Sequence, residues 1–179
     1  MANDKALREH LLYLLRGGGA HIDFETFFAD FPIKAINGKV ENVPYTPWQV
    51  LEHMRIAQWD ILQFSRNADH VSPEFPEGYW PPADVVPDKL LWNKTIEAFR
   101  SDLEEMERLV EGPSIDLFAR IPHGEGQTIL REALLVADHN AYHLGGLVMM
   151  KRVLTAGSRK CFDLTSGRHS KGQSPAETE

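Results

Sequence analysis

The sequence has a single cysteine, Cys161, so no internal disulfide can form. A chain that folds without that staple suits a reducing compartment, and the cytoplasm is the expected location. No run of apolar residues approaches the length of about 18 that a membrane span requires. The opening stretch, MANDKALREHLLYLL, interrupts its apolar positions with charges of both signs and does not read as a signal peptide. Basic residues are in deficit, with 19 Lys and Arg against 26 Asp and Glu and a formal net charge of -7. Phosphate backbones repel such a surface, and no basic stripe with interleaved aromatics offsets that repulsion, so nucleic acid is not an expected partner. Persuasive polar–apolar alternation is missing throughout, which argues against a β architecture.

What remains is helical. The 179 residues and an apolar fraction of 42% fit one globular domain. The first long helix is expected over Asp4 to Arg16, with Leu7, Leu11, Leu14 and Leu15 on one face and Gly17, Gly18 and Gly19 to stop it. The second opens at Thr46-Pro47-Trp48-Gln49, where Thr46 suits the N-cap, Pro47 the first helical position and Gln49 the return bond of a capping box. Leu51, Met54, Trp59, Ile61 and Leu62 carry its apolar stripe to about Asn67. The third is expected over Asp88 to Glu111, with Leu91, Thr95, Ile96, Phe99, Leu103, Met106 and Val110 at helical spacing before Gly112-Pro113. The fourth is expected from Thr128 to Ala156, with Ile129, Leu130, Ala133, Leu134, Ala137, Ala141, Leu144 and Val148 making a wide apolar face and Gly157 as its stop. Four amphipathic helices predict an all-α four-helix bundle.

The connections are long for so compact a domain. The first contains a short helix expected around Asp23 to Asp30; the second, Ala68 to Pro87, is rich in proline and aromatics and reads as an ordered flap. Residues 1–157 form the expected domain, and 158–179, polar and rich in Gly and Ser, a flexible tail. Cys161 falls in that tail, with no histidine at a useful spacing to make it a ligand or nucleophile.

The chemistry concentrates in the fourth helix, at His139-Asn140-Ala141-Tyr142-His143. Residues four apart share a helix face, so two imidazoles placed this way can bind one metal ion. Taken alone, such a pair more often faces solvent or hydrogen-bonds. Two features strengthen it: the pair borders the apolar stripe, and His53, flanked by Leu51 and Met54, projects from the second helix toward the same interior. Three neutral imidazoles with one open position suit a catalytic divalent ion, zinc or nickel first, with iron and manganese open. No glutamate follows His139, so this is not the zinc-protease helix motif. Glu132 and Asp60 each lie seven residues from a histidine, and Asp138 adjoins one; each is a candidate to orient an imidazole or take a proton, against the blander role of a surface or Arg-paired carboxylate. The flap residues Tyr79 and Trp80 are candidates to line the approach to the ion, or else to plug the bundle end. Of His10, His21, His70, His123 and His169, most read as solvated; His10 and His123 could approach the site, but nothing in their spacing argues for it.

Four segments together resemble the DinB/YfiT-like superfamily of metalloenzymes. They are Pro47-Trp48-Gln49-Val50-Leu51-Glu52-His53, Pro76-Glu77-Gly78-Tyr79-Trp80-Pro81, Gly126-Gln127-Thr128-Ile129-Leu130-Arg131-Glu132, and Asp138-His139-Asn140-Ala141-Tyr142-His143-Leu144-Gly145. The resemblance implies a four-helix bundle with long crossovers and a metal held by His53, His139 and His143. It further implies a homodimer and a small-molecule substrate, since relatives include transferases and isomerases that use low-molecular-weight thiols such as bacillithiol or mycothiol. The end departs from the family pattern: after Arg152-Val153-Leu154 an apolar finish is expected, and a polar stretch follows. Thiol transfer is the leading expectation. The others are metal-dependent hydrolysis, which needs Glu132, Asp138 or Asp60 as base, a non-catalytic metal-binding stress-response module, and a helical dimer whose histidines merely hydrogen-bond.

Overall fold

The computed structural model describes residues 2–163. Five α-helices carry the fold: α1 (Ala2–Leu15), α2 (Phe24–Ala29), α3 (Pro47–Arg66), α4 (Lys89–Glu111) and α5 (Ile129–Asp163). Single 3-10 turns lie at Ile33–Ala35 and Glu77–Tyr79, and there is no strand among the described residues, which are all-α.

The helix ends follow from local chemistry. Thr46 Oγ1 accepts from the Gln49 backbone N–H at 3.3 Å, and Gln49 Oε1 accepts from the Thr46 backbone N–H at 2.9 Å, closing the capping box ahead of Pro47. Asp88 caps α4 by accepting from the Leu91 N–H at 2.8 Å, and Asp23 caps α2 through the Thr26 N–H at 2.8 Å. Gly17, at a φ of 75°, turns the chain out of α1 where a side chain would be strained. The end of α4 is held from another helix: the Arg8 guanidinium of α1 donates to the carbonyl of Val110, in the last turn, and to those of Gly112 and Ile115 in the chain that follows.

α3 packs against α4 and α5, α1 packs against the same two helices, and α4 meets α5. Their shared interior holds Leu11, Leu15, Leu51, Met54, Leu62, Phe99, Met106, Leu144 and Leu147. α2 and the segment after it add Phe24, Phe27, Phe28 and Phe31, which pack with Trp92 and Phe99 at ring-centroid separations of 5.0 to 6.3 Å. A polar thread crosses this core and ties three helices at one level: Gln58 Nε2 donates to the Phe99 carbonyl, and Asn140 Nδ2 donates to Gln58 Oε1, each at 2.7 Å.

The last helix differs from its expected form in two ways. Its buried face is Ile129, Glu132, Ala133, Val136, Asn140, Leu144, Leu147 and Met150, whereas Leu134 is exposed at 45% and Ala141 is exposed too. The sequence is apolar on more than one side of this helix, and its stripe was placed too far round. α5 also runs through Gly157 to Asp163, because one interior glycine costs a helix only about 1 kcal/mol and need not end it. Cys161 therefore falls within the helical span and not after it. The rest of the expected tail, with His169, lies outside the described residues.

Candidate metal centre

α3 and α5 cross so that His53, from the middle of α3, faces His139 and His143 on successive turns of α5. All three rings point their Nε2 atoms at a common centre. His53 Nε2 lies 3.2 Å from His143 Nε2 and 3.2 Å from His139 Nε2. The three histidines lie within reach of one metal ion.

Hydrogen bonding among the rings does not account for this arrangement. His53 Nδ1 is 2.8 Å from the carbonyl oxygen of Tyr79. A carbonyl can only accept, so the proton sits on Nδ1 and the Nε2 lone pair faces the centre. Two further nitrogens approach that one lone pair, which a neutral imidazole cannot satisfy with ordinary geometry. A divalent ion can accept all three lone pairs. With bonds of about 2.0–2.1 Å, a tetrahedral zinc centre spaces its nitrogen ligands about 3.3–3.4 Å apart, close to the separations found. The protonation states agree. Burial, then the charge of neighbouring imidazoles, pushes His139 and His143 down to about 4, and burial lowers His53 as well. All three are neutral at pH 7, the form that binds a metal. The residues fit the group.

The flap completes one wall. Trp80 stacks on His53 with ring centroids 4.0 Å apart and planes 5° from parallel, and Tyr45 stacks on the outer face of Trp80 at 3.6 Å and 9°. The two flap candidates therefore act differently. Trp80 covers the His53 ring, while Tyr79 supplies only its backbone carbonyl and turns its side chain away. The Tyr79 hydroxyl donates to Asp60 Oδ2 at 2.6 Å, and burial with that bond raises it to about 12.

The three carboxylate candidates stand apart from the imidazoles. Asp60, buried, accepts from Tyr79 and, at 2.7 Å through its other oxygen, from His70 Nε2. It anchors the flap at two points, and the flap in turn holds His53. Glu132 is buried and pairs with Arg131 at 2.7 Å, the bland alternative for that residue. Asp138 is exposed and borders a different cleft, of about 400 Å3, between α1 and α5 that none of the three histidines lines. His70 was expected in solvent, yet its side chain is only 7% exposed because Asp60 draws it inward. Its spacing from Asp60 carries no helical signal, so only the tertiary structure reveals the pair. The Asn140 side chain was missed as well: its Oδ1 is buried without a hydrogen-bond partner, beside His139. Among the other histidines, His123 Nε2 lies 2.6 Å from the Phe64 carbonyl.

A second cleft, of about 570 Å3, reaches His143, with Trp80, Tyr45 and Tyr142 also in its walls. A cleft of this size holds a small molecule against the His143 ring.

No helix among the described residues is long and apolar enough to cross a membrane. The chain matches no family model, no curated protein and no solved structure.

Proposed function

We propose that this protein is a cytoplasmic, homodimeric metalloenzyme of the DinB/YfiT-like kind, built on a four-helix bundle of α1, α3, α4 and α5. On this reading it joins the sulfur of a low-molecular-weight thiol to an electrophilic small molecule, the thiol giving up its proton and the electrophile its leaving group. One observation carries the reading: the Nε2 atoms of His139 and His143 each lie 3.2 Å from the Nε2 of His53, within reach of one ion, and His143 lines an open cleft.

His53, His139 and His143 would hold the ion, with zinc or nickel the first choices for three nitrogen ligands. A divalent ion there supplies Lewis acidity and lowers the pKa of a thiol bound to it. The chain's own residues set the conditions. The Tyr79 carbonyl fixes the His53 tautomer, Asp60 holds Tyr79 in place, and Trp80 shields one side of the His53 ring from water. Transfer is favoured over hydrolysis because hydrolysis requires a general base at the centre. Asp60 and Glu132 have their carboxylates engaged elsewhere, and Asp138 faces another cleft. The cleft favours an enzyme over a storage or sensing module, which has no need of an opening beside the ion.

The test is a conjugation assay on the zinc- and nickel-loaded full chain, with a panel of low-molecular-weight thiols and an electrophilic acceptor. Metal-dependent turnover that disappears in His143→Ala is expected. A fully loaded protein with no turnover across thiols and acceptors would overturn the transferase reading and leave a non-catalytic metal site.

A further inference from the structure

Two adjacent glycines, Gly145 and Gly146, sit deep inside α5, two residues beyond His143. Each costs a helix interior about 0.8–1 kcal/mol relative to alanine. Interior packing does not demand them. A Cβ built at either position meets nothing within 4 Å, so no neighbouring helix needs the space they leave. Gly146 instead forms part of the wall of the 570 Å3 cleft at His143. Around it stand Val43, Met149, Val153, Tyr142 and the edge of the Tyr45–Trp80 stack. Met149 and Val153 are exposed at 58% and 54%, apolar surface left open beside the centre. None of the described residues lining the cleft is Asp, Glu, Lys or Arg; its polar atoms belong to two phenols, an indole and the His143 ring.

We propose that this cleft binds an uncharged, largely apolar organic molecule and is the acceptor subsite of the enzyme. The inference rests on reading the three histidines as a metal site, since His143 is what joins the cleft to the chemistry. Burying a carboxylate or ammonium there, with no opposite charge to meet it, is strongly unfavourable. A flat or branched apolar body has the Tyr45–Trp80 stack on one side and Met149 and Val153 on the other. Gly146 leaves the floor open for it. Polar groups of a thiol donor must then lie outside this cleft, on the solvent side of the centre.

Isothermal titration of the full chain, zinc-loaded and after chelation, separates this inference from the metal reading. The probes are neutral naphthalenemethanol and the isosteric anion naphthoate, compared in the chelated protein so that no ion can bind the carboxylate. The neutral probe is expected to bind about ten-fold more tightly than the anion, or better. Gly146→Leu adds a branched side chain to the cleft wall from a Cβ position with nothing within 4 Å, so it should abolish probe binding and keep zinc stoichiometry. Gly145→Ala, which does not line the cleft, should bind like the parent. Met149→Glu, at an exposed position, should weaken the neutral probe by about ten-fold. Zinc loading without probe selectivity, or probe binding indifferent to Gly146→Leu, overturns the cleft inference alone. Selective probe binding in a chain that takes up no zinc overturns the metal reading instead. A sedimentation-detected dimer broken by Gly146→Leu, with no probe bound by the parent, would assign the face to a second copy of the chain and also overturn the inference.

Discussion

Replacing Asp60 tests how the flap and the histidines are connected. Its two oxygens accept from Tyr79 and His70 at 2.6 and 2.7 Å at a position only 7% exposed. Asp60→Ala leaves both donors without a partner in a poorly solvated place, which at about 1–3 kcal/mol per orphaned donor should cost about 2–6 kcal/mol. Asp60→Asn keeps one acceptor and turns an amide donor toward the other partner, so it should cost about 1.5–3 kcal/mol, the value of one charge-assisted bond. The flap also supplies the carbonyl that orients His53. Loosening such an outer support typically weakens metal binding by about 10–100-fold. Tyr79→Phe separates the two effects: it removes the hydroxyl but keeps the carbonyl, so it should lose about 1.5–3 kcal/mol and bind metal nearly as the parent does. Urea unfolding of the chelated proteins measures the first quantity, and competitive zinc titration the second. If Asp60→Ala unfolds within about 0.5 kcal/mol of the parent and binds zinc equally well, the coupling described here is wrong.

Other consequences follow from the same geometry. The three histidines have folded-state pKa values below the ordinary imidazole value of 6.5, so the unfolded chain binds more protons than the native one in mild acid. The stability of the chelated protein should therefore be flat above about pH 6.5 and fall as the pH drops toward 4; denaturant titrations across that range check this, and removing the three imidazoles together should flatten the slope. Zinc occupancy should fall with acid as well, because ligand imidazoles must be neutral, and dialysis at graded pH measures it. Trp80→Ala should leave the zinc stoichiometry unchanged, since Trp80 stacks on a ligand without being one, while calorimetry should show loss of the neutral probe. Thr46→Ala breaks the capping box of α3 and should cost about 1 kcal/mol in urea unfolding, with metal affinity retained.

Much of this could be read along the chain where the signal is local. Thr46, Pro47 and Gln49 announce the start of α3 because a capping box is written within four residues, and Asp88 and Gly112 bracket α4 in the same way. The pairing of His139 with His143 is likewise a one-turn relation. The addition of His53 worked because Leu51 and Met54 marked the inward side of α3. What stayed hidden depends on contacts between distant segments. Asp60 was singled out for its seven-residue spacing from His53, but its partners come from the flap, and no periodicity connects His70 or Tyr79 to it. The stack of Tyr45 on Trp80 on His53 joins three segments that the sequence keeps apart. The face of α5 was misjudged at Leu134 and Ala141 because its apolar residues spread over more than one side, and periodicity then has no single answer. Gly157 misled because a glycine lowers helix propensity without forbidding helix, and α5 is long enough to carry it.

Metal content of the full chain, purified without a metal-affinity tag and measured by elemental mass spectrometry, tests the central claim most directly. About one divalent ion per chain is expected from three histidine ligands and one open position, with none in His139→Ala. A protein that holds no divalent ion and takes none up on titration, or a His139→Ala variant that keeps full occupancy, would contradict it.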